Sequence, residues 1–159
     1  MNPSFEDWVT YNLGERPVFW NTSDSLTASI GAGHSAVKEA TNVCDLSYAV
    51  KMTSIGLFTL TGPGVVTNGV ISGNASSYTV SGGTPDTARS KFINCCLKYI
   101  PAAPGTDNAI ISAFLFKSNG GSRDTIAYSI NTIGTTLVMT NFSFGFQYID
   151  FDNQPDTIL

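Results

Sequence analysis

The chain carries a single histidine, His34, set between Gly33 and Ser35. Imidazole is the usual side chain for proton transfer near neutral pH. No nucleophile or carboxylate is fixed beside His34 by spacing, however, and no Gly-x-Ser-x-Gly elbow accompanies it. His34 therefore reads as a solvated loop residue. Glycoside hydrolysis needs two carboxylates roughly 5 to 10 Å apart across a cleft, and none of the twelve acids falls in a pattern that selects such a pair. Asp86 with Arg89, and Arg123 with Asp124, read as turn and surface pairs of little energetic weight. Asp150 and Asp152 superficially resemble the start of an EF-hand loop but lack its Gly and terminal Glu, so they read as a polar turn ahead of Pro155. The three cysteines, Cys44, Cys95 and Cys96, have no CxxC spacing for zinc. Buried small hydrophobes plus an exposed thiol are favoured over a disulfide to Cys44. Trp8 and Trp20 are core or rim residues, with a sugar platform as the sharper alternative. No residue set selects a reaction, and the chain is read as noncatalytic.

Any binding group must be positioned by strands. The stretch Thr140 to Ile149 reads TNFSFGFQYI, with Phe142, Phe144, Phe146 and Tyr148 on one parity and Asn141, Ser143, Gly145 and Gln147 on the other, the period of a strand with one buried face. Four aromatics in a row can anchor a core or form a platform for sugar rings. SYAVKMT and KFINCCLKYIP alternate in the same way, and IGLFTL and VVTNGVI read as further strands. AIISAFLFK is almost continuously apolar, as a central strand covered on both faces would be. SNGGSRD predicts a hairpin turn at Gly120-Gly121, and DTIAYSI the strand after it. The N-terminal segment reads as an extended piece with a turn at Gly14 to Pro17, residues 24 to 46 as loop, and Ser72 to Ser90 as a polar loop. Strands following strands without helical crossovers predict an all-β, antiparallel two-sheet β-sandwich, a single domain over residues 1–159.

Charged residues make up only 13% of the chain and the net charge is -4, which argues against a nucleic-acid partner, since phosphate contacts need clustered Lys and Arg. No apolar run is long enough for a transmembrane segment. The neutral polar composition suits an exported protein, with a signal peptide removed and Met1 a remnant of expression.

Several pieces recur in a familiar order: FEDW followed by Pro17 to Trp20, Ser47 to Lys51, Pro63-Gly64 with Asn68-Gly69, Gly82 to Pro85, Leu97-Lys98-Tyr99 with Pro101, Asp107, Tyr148, and Pro155-Asp156-Thr157. As an ordered set they resemble the carbohydrate metabolism domain of Bacteroidetes surface and secreted proteins. The resemblance implies a jelly-roll sandwich similar to galactose-binding-like modules, located extracellularly or at the cell surface. It also implies a structural calcium, with Glu6 in the position of its glutamate ligand. The chain departs from the pattern at Cys44-Asp45-Leu46, where a His-Ser-Gly is common, and at Leu97, where a Tyr precedes the Lys-Tyr. It ends at Leu159 where the pattern continues, which predicts a truncated C-terminus.

The expected function is a carbohydrate-binding or adhesion module whose partner is a glycan or polysaccharide. Trp8, Tyr11 and Tyr78 are the candidate stacking residues, and Arg89 is the candidate hydrogen-bond donor. The alternatives are a structural or assembly domain that meets a neighbouring envelope protein, and an accessory domain in glycan processing. In the resembling family the Phe142 to Tyr148 stretch is a regular strand, so its aromatics are expected to point inward and Phe144→Ala to cost about 3 to 5 kcal/mol.

Overall fold

Strands make up 56% of the chain and helix 4% in the computed structural model, so the protein is all-β. The structure describes residues 2–57, 60–74, 77–103, 105 and 107–159. The chain divides into two compact units, Met1–Gly83 and Thr84–Leu159. Among the described residues no helix is long and apolar enough to cross a membrane.

The first unit is a set of small antiparallel ladders. Strands β1 (Trp8–Tyr11) and β2 (Gly14–Pro17) form a hairpin, with Trp8 opposite Pro17 and Tyr11 opposite Gly14. Gly14 to Pro17 is thus a strand where a turn was expected, because the chain reverses one step earlier, at Asn12-Leu13. Next come β3 (Asn21–Thr22), a single helical turn α1 (Asp24–Thr27) and a 3-10 turn (Ala28–Ile30). Strand β4 (Ala36–Glu39) pairs with β5 (Ala49–Met52). The loop expected over residues 24 to 46 therefore contains a helical turn and a strand. IGLFTL is likewise two antiparallel strands, β6 (Ile55–Leu57) and β7 (Leu60–Gly62); Phe58 and Thr59 lie outside the described residues. Strand β8 (Val66–Thr67) pairs with β3, and β9 (Gly69–Asn74) with β10 (Ser77–Gly82). That last hairpin fills much of the loop expected from Ser72 to Ser90. Its signal was the alternation of Tyr78 and Val80, half-buried, with exposed Ser77, Thr79 and Ser81.

Buried Asn2 ties the start of this unit together. Its side-chain oxygen accepts the Glu6 and Asp7 N–H groups, its amide donates to the Asp7 carbonyl, and its own carbonyl accepts the Trp20 indole N–H. Every polar group of this buried side chain that could fail to find water has a partner, which is the condition for burying it.

In the second unit the strands are β11 (Thr84–Pro85), β12 (Phe92–Tyr99), β13 (Ala109–Asn119), β14 (Ser122–Ile133), β15 (Thr136–Gly145), β16 (Gln147–Tyr148) and β17 (Thr157–Ile158). Five of them make one sheet in the order β11-β17-β13-β14-β16, and β12 pairs with β15. The β13–β14 turn is the expected hairpin: Asn119 faces Ser122, and Gly120 and Gly121 take φ of 55° and 102°, the left-handed pair that a tight two-residue turn requires.

The core of this unit is Leu115, Ile126 and Ala127, with Phe146, Tyr148 and Ile158 packed on it. β13 is the middle strand of its sheet, yet its two faces are unequally covered, Phe114 and Phe116 on the second face being half-buried. Ala113 and Leu115 are buried, while Ile110 on the other face is 69% exposed and Ile130 of the neighbouring strand 57%. The expectation of a strand covered on both sides is thus met along Phe114 and Phe116 and not at Ile110: a continuous apolar run fixes composition, not cover.

Phe142, Phe144, Phe146 and Tyr148 are half-buried and alternate with exposed Asn141, Ser143, Gly145 and Gln147. Phe142 and Phe144 stack on one another with ring centroids 5.6 Å apart, opposite Cys95 and Ile93 of β12. At Phe146 the chain leaves the β12 ladder and joins β14, carrying Phe146 and Tyr148 into the core. Because Phe144 is only half-buried, Phe144→Ala is expected to cost about 1 to 2 kcal/mol, less than full burial would give. Urea denaturation of the variant measures it.

Cys95 holds a free thiol, raised in pKa by burial. Cys44 and Cys96 are each in a disulfide, which corrects the expectation of unlinked cysteines. The correction concerns chain topology, to which local spacing is blind.

Candidate functional site

In the first unit, α1 and β4 bring together side chains that are ten or more residues apart. Asp24, at the start of α1, is 0% exposed. Its Oδ1 accepts the Ser35 N–H at 2.6 Å, the Ser35 hydroxyl at 2.9 Å and the Ala36 N–H at 3.0 Å. Its Oδ2 lies 3.1 Å from His34 Nδ1. The Ser35 hydroxyl gives its hydrogen to Asp24, so in the 2.7 Å contact between the Ser23 and Ser35 hydroxyls Ser23 is the donor. Ser23 Oγ in turn accepts the Val65 N–H at 2.8 Å. The result is a closed polar network around a buried carboxylate, in which each partner satisfies the next.

His34 is where this network meets solvent, its side chain 48% exposed. The ring lies against Gly14: a Cβ added there would stand 2.9 Å from His34 Cε1, and Gly14 has a φ of 123°. Only glycine allows both the backbone conformation and the close approach. Beside His34 opens a hollow of about 230 Å³ lined by Gly14, Glu15, His34, Ala36, Val37 and Lys38. The Lys38 ammonium sits 3.7 Å from the centre of the Tyr48 ring and 5.7 Å from that of Trp8, held by the negative faces of the two rings. The hollow thus combines apolar Ala36 and Val37 with a cationic donor held by two rings at its edge, an exposed carboxylate and an oriented imidazole.

Four of the expected site residues lie in the first unit. Trp8 flanks the hollow through Lys38, and its indole N–H donates to the Phe5 carbonyl. Tyr11, at the far end of β1, is covered by the Arg16 guanidinium at 5.2 Å. Tyr78 lies on the β9–β10 hairpin opposite Gly73, with no ring stacking on Trp8 or Tyr11 among the described residues. Glu6 accepts the backbone N–H groups of Ser47 and Tyr48 at 3.2 and 2.9 Å, so both of its oxygens are directed at donors. Calcium takes six to eight oxygen ligands, and among the described residues no group of three or more His, Cys, Asp or Glu stands together. The donors around Glu6 therefore do not fit a calcium shell. They fit a clamp on the turn that leads into Tyr48.

Arg89 belongs to the second unit. Its guanidinium donates to the carbonyls of Asn153 and Asp150 and stacks 4.5 Å from the Tyr148 ring centre. It holds the Asp150–Asn153 turn. Asp150 accepts the N–H groups of Asp152 and Asn153 and the Asn153 amide, and these bonds hold its carboxyl below the usual range. This is the polar turn read from the sequence.

One residue of the first unit follows the same rule more strongly. After β4, Glu39 Oε1 accepts the Thr41 hydroxyl and the N–H groups of Ala40, Thr41 and Asn42. The Thr41 hydroxyl is the largest of the causes that lower its pKa from 4.5 to about 2. A depressed carboxyl stabilises the fold above its unfolded pKa and loses that contribution as pH falls through the folded value, here between 4.5 and about 2. A carbon-detected NMR titration should place Glu39 near 2, and Thr41→Ala should move it upward.

Sequence reasoning missed Asp24, Ser35 and Lys38, and set His34 aside. No spacing signal marked them, since the Asp24–His34 pair is made by the turn of α1 and the start of β4. It also missed Phe19, which is 68% exposed and held at a φ of 67°, a left-handed conformation that bulky residues adopt only under strain. No protein-family profile, curated protein or solved structure matches the chain.

Proposed function

We propose that the protein is a noncatalytic carbohydrate-binding or adhesion module, secreted or displayed at the cell surface, which seats a glycan in the hollow of its first unit. The observation that carries this is the Lys38 ammonium fixed against Tyr48 and Trp8 at the edge of an open hollow that also holds Glu15 and His34. A pyranose presents apolar ring faces and hydroxyls that both donate and accept, and the hollow offers Ala36 and Val37 for the first and Glu15, His34 and Lys38 for the second. The disulfide state of Cys44 and Cys96 supports an oxidising compartment, and the scarcity of charge agrees with it. A jelly-roll sandwich of the Bacteroidetes type belongs to the same reading. The switch of the chain at Phe146 from the β12 ladder to the β14 ladder supports it, because strands that change sheets make sandwich corners. Affinity electrophoresis through gels containing single polysaccharides, with calcium and after chelation, tests the proposal. Retardation on at least one polysaccharide is expected in both conditions.

A second reading, an assembly domain meeting a neighbouring envelope protein or another copy of itself, is favoured by exposed apolar residues of the second unit. Ile110, Leu137 and Val138 are each 69% exposed. Light scattering across a wide concentration range addresses self-association: a rising mass supports that version of the reading and a constant monomer mass removes it.

A further inference from the structure

The hollow beside His34 contains a group whose chemistry is fixed by what lies beneath it. Asp24 is fully buried and its Oδ1 already receives three donors. Its Oδ2 faces His34 Nδ1 at 3.1 Å, and a carboxylate oxygen accepts, so the proton of the neutral imidazole belongs on Nδ1. Nε2 is then left with a lone pair, and it makes no hydrogen bond among the described residues. Gly14 lies against the ring at Cε1, which together with the Asp24 bond fixes the plane of the imidazole. His34 is thus an oriented acceptor, half-exposed, on the wall of a hollow whose other polar groups are the Lys38 donor and the Glu15 acceptor.

We infer that His34 Nε2 is the hydrogen-bond acceptor for a ligand hydroxyl in this hollow, that Asp24 is its positioning residue, and that the ligand is a neutral sugar. This rests on the glycan-binding reading above and specifies its ligand class. A neutral pyranoside supplies a hydroxyl donor to Nε2, a further hydroxyl donor to Glu15 and an acceptor to Lys38. A uronate or sulfated sugar supplies an acceptor-only group at its charged position that only Lys38, already held against two rings, attracts, while Nε2 as an acceptor does not welcome it and the Glu15 carboxylate repels it. The Asp24 contact acts only through the imidazole. Asp24→Asn can present an amide donor to Nδ1 and so reverse the two nitrogens, leaving Nε2 with the proton.

The test has two independent readouts. The first is a long-range nitrogen-15 NMR spectrum of the free protein, which reports the protonated nitrogen of its single histidine. The expected state is the Nδ1–H tautomer, changed to Nε2–H in Asp24→Asn. An Nε2–H tautomer, or an imidazolium with protons on both nitrogens, in the unaltered protein overturns the inference whatever the protein binds. The second is affinity electrophoresis of the protein, His34→Ala, His34→Gln and Trp8→Ala on neutral glucans, galactans, xylans and mannans and on polygalacturonate and alginate. Retention on a neutral polysaccharide is expected. His34→Ala should weaken it about tenfold, the order expected for loss of one hydrogen bond, and His34→Gln, which keeps an acceptor, should restore part of it. If Trp8→Ala abolishes retention while His34→Ala leaves it unchanged, the glycan site stands and the role of His34 is overturned. Retention on the polyuronates alone overturns the ligand class. Retention on none overturns the glycan reading and this inference with it.

Discussion

Asp24→Ala is expected to destabilise the first unit by about 3 to 5 kcal/mol, the cost of removing one partner from a buried, fully hydrogen-bonded charged group. The carboxylate receives the N–H groups of Ser35 and Ala36 and the Ser35 hydroxyl, and it holds His34. Alanine leaves those donors facing an apolar methyl in a place where water does not reach, since Asp24 is 0% exposed. The Ser23–Ser35 hydroxyl contact loses its orientation as well. A domain is stable by only about 5 to 15 kcal/mol in all, so the loss should be plain in urea denaturation followed by tryptophan fluorescence, both tryptophans being in this unit. A change below about 1 kcal/mol, typical of an exposed polar group, would mean that the network carries little of the stability.

The second large effect belongs to the other unit. Leu115→Ala removes a 0% exposed side chain from the cluster with Ile126 and Ala127, on which Phe146, Tyr148 and Ile158 pack. Such a truncation costs about 2 to 5 kcal/mol, depending on how far the surroundings collapse into the cavity. The same cluster offers a graded control. Ile126→Val removes one methylene and should cost about 0.5 to 1.5 kcal/mol. Denaturant midpoints for the two variants, compared at equal slope, measure both. Equal effects would show that the cluster is not close-packed.

Much of the β architecture was legible because period two is a local signal. The alternation in KFINCCLKYIP and TNFSFGFQYI gives the facing pairs of the β12–β15 ladder: Ile93 opposite Phe144, Cys95 opposite Phe142. Gly120-Gly121 marked its hairpin for a backbone reason that needs no tertiary context. The errors fall where length and cover decide. IGLFTL is short enough to be one strand or two. The β13 segment is apolar on both parities, so its sequence could not show that Ile110 faces outward. At Gly14 to Pro17, glycine and proline read as a turn although both also fit an edge strand.

The candidate site was hardly legible at all. Trp8 was chosen as an aromatic and does flank the hollow, but its neighbours there come from elsewhere in the chain. Lys38 reaches Trp8 and Tyr48 because β4 forms a strand where loop was expected. His34 looked solvated because the carboxylate that orients it is ten residues away and becomes its partner only once α1 has turned. Arg89 reads from the sequence as a donor to a glycan, and in the structure its guanidinium donates to the carbonyls of the Asp150–Asn153 turn. Side chains that contact one another through a buried polar network leave no fixed spacing in a sequence.

The claim that the first unit holds a glycan is tested most directly by affinity electrophoresis of the protein and of Trp8→Ala, shown to be folded by its amide NMR spectrum, across a panel of polysaccharides at millimolar sensitivity. The account predicts that the protein is retarded by at least one of them and that Trp8→Ala, which removes one ring of the pair holding Lys38, migrates as on a plain gel. Unretarded migration of the protein on every polysaccharide would contradict it.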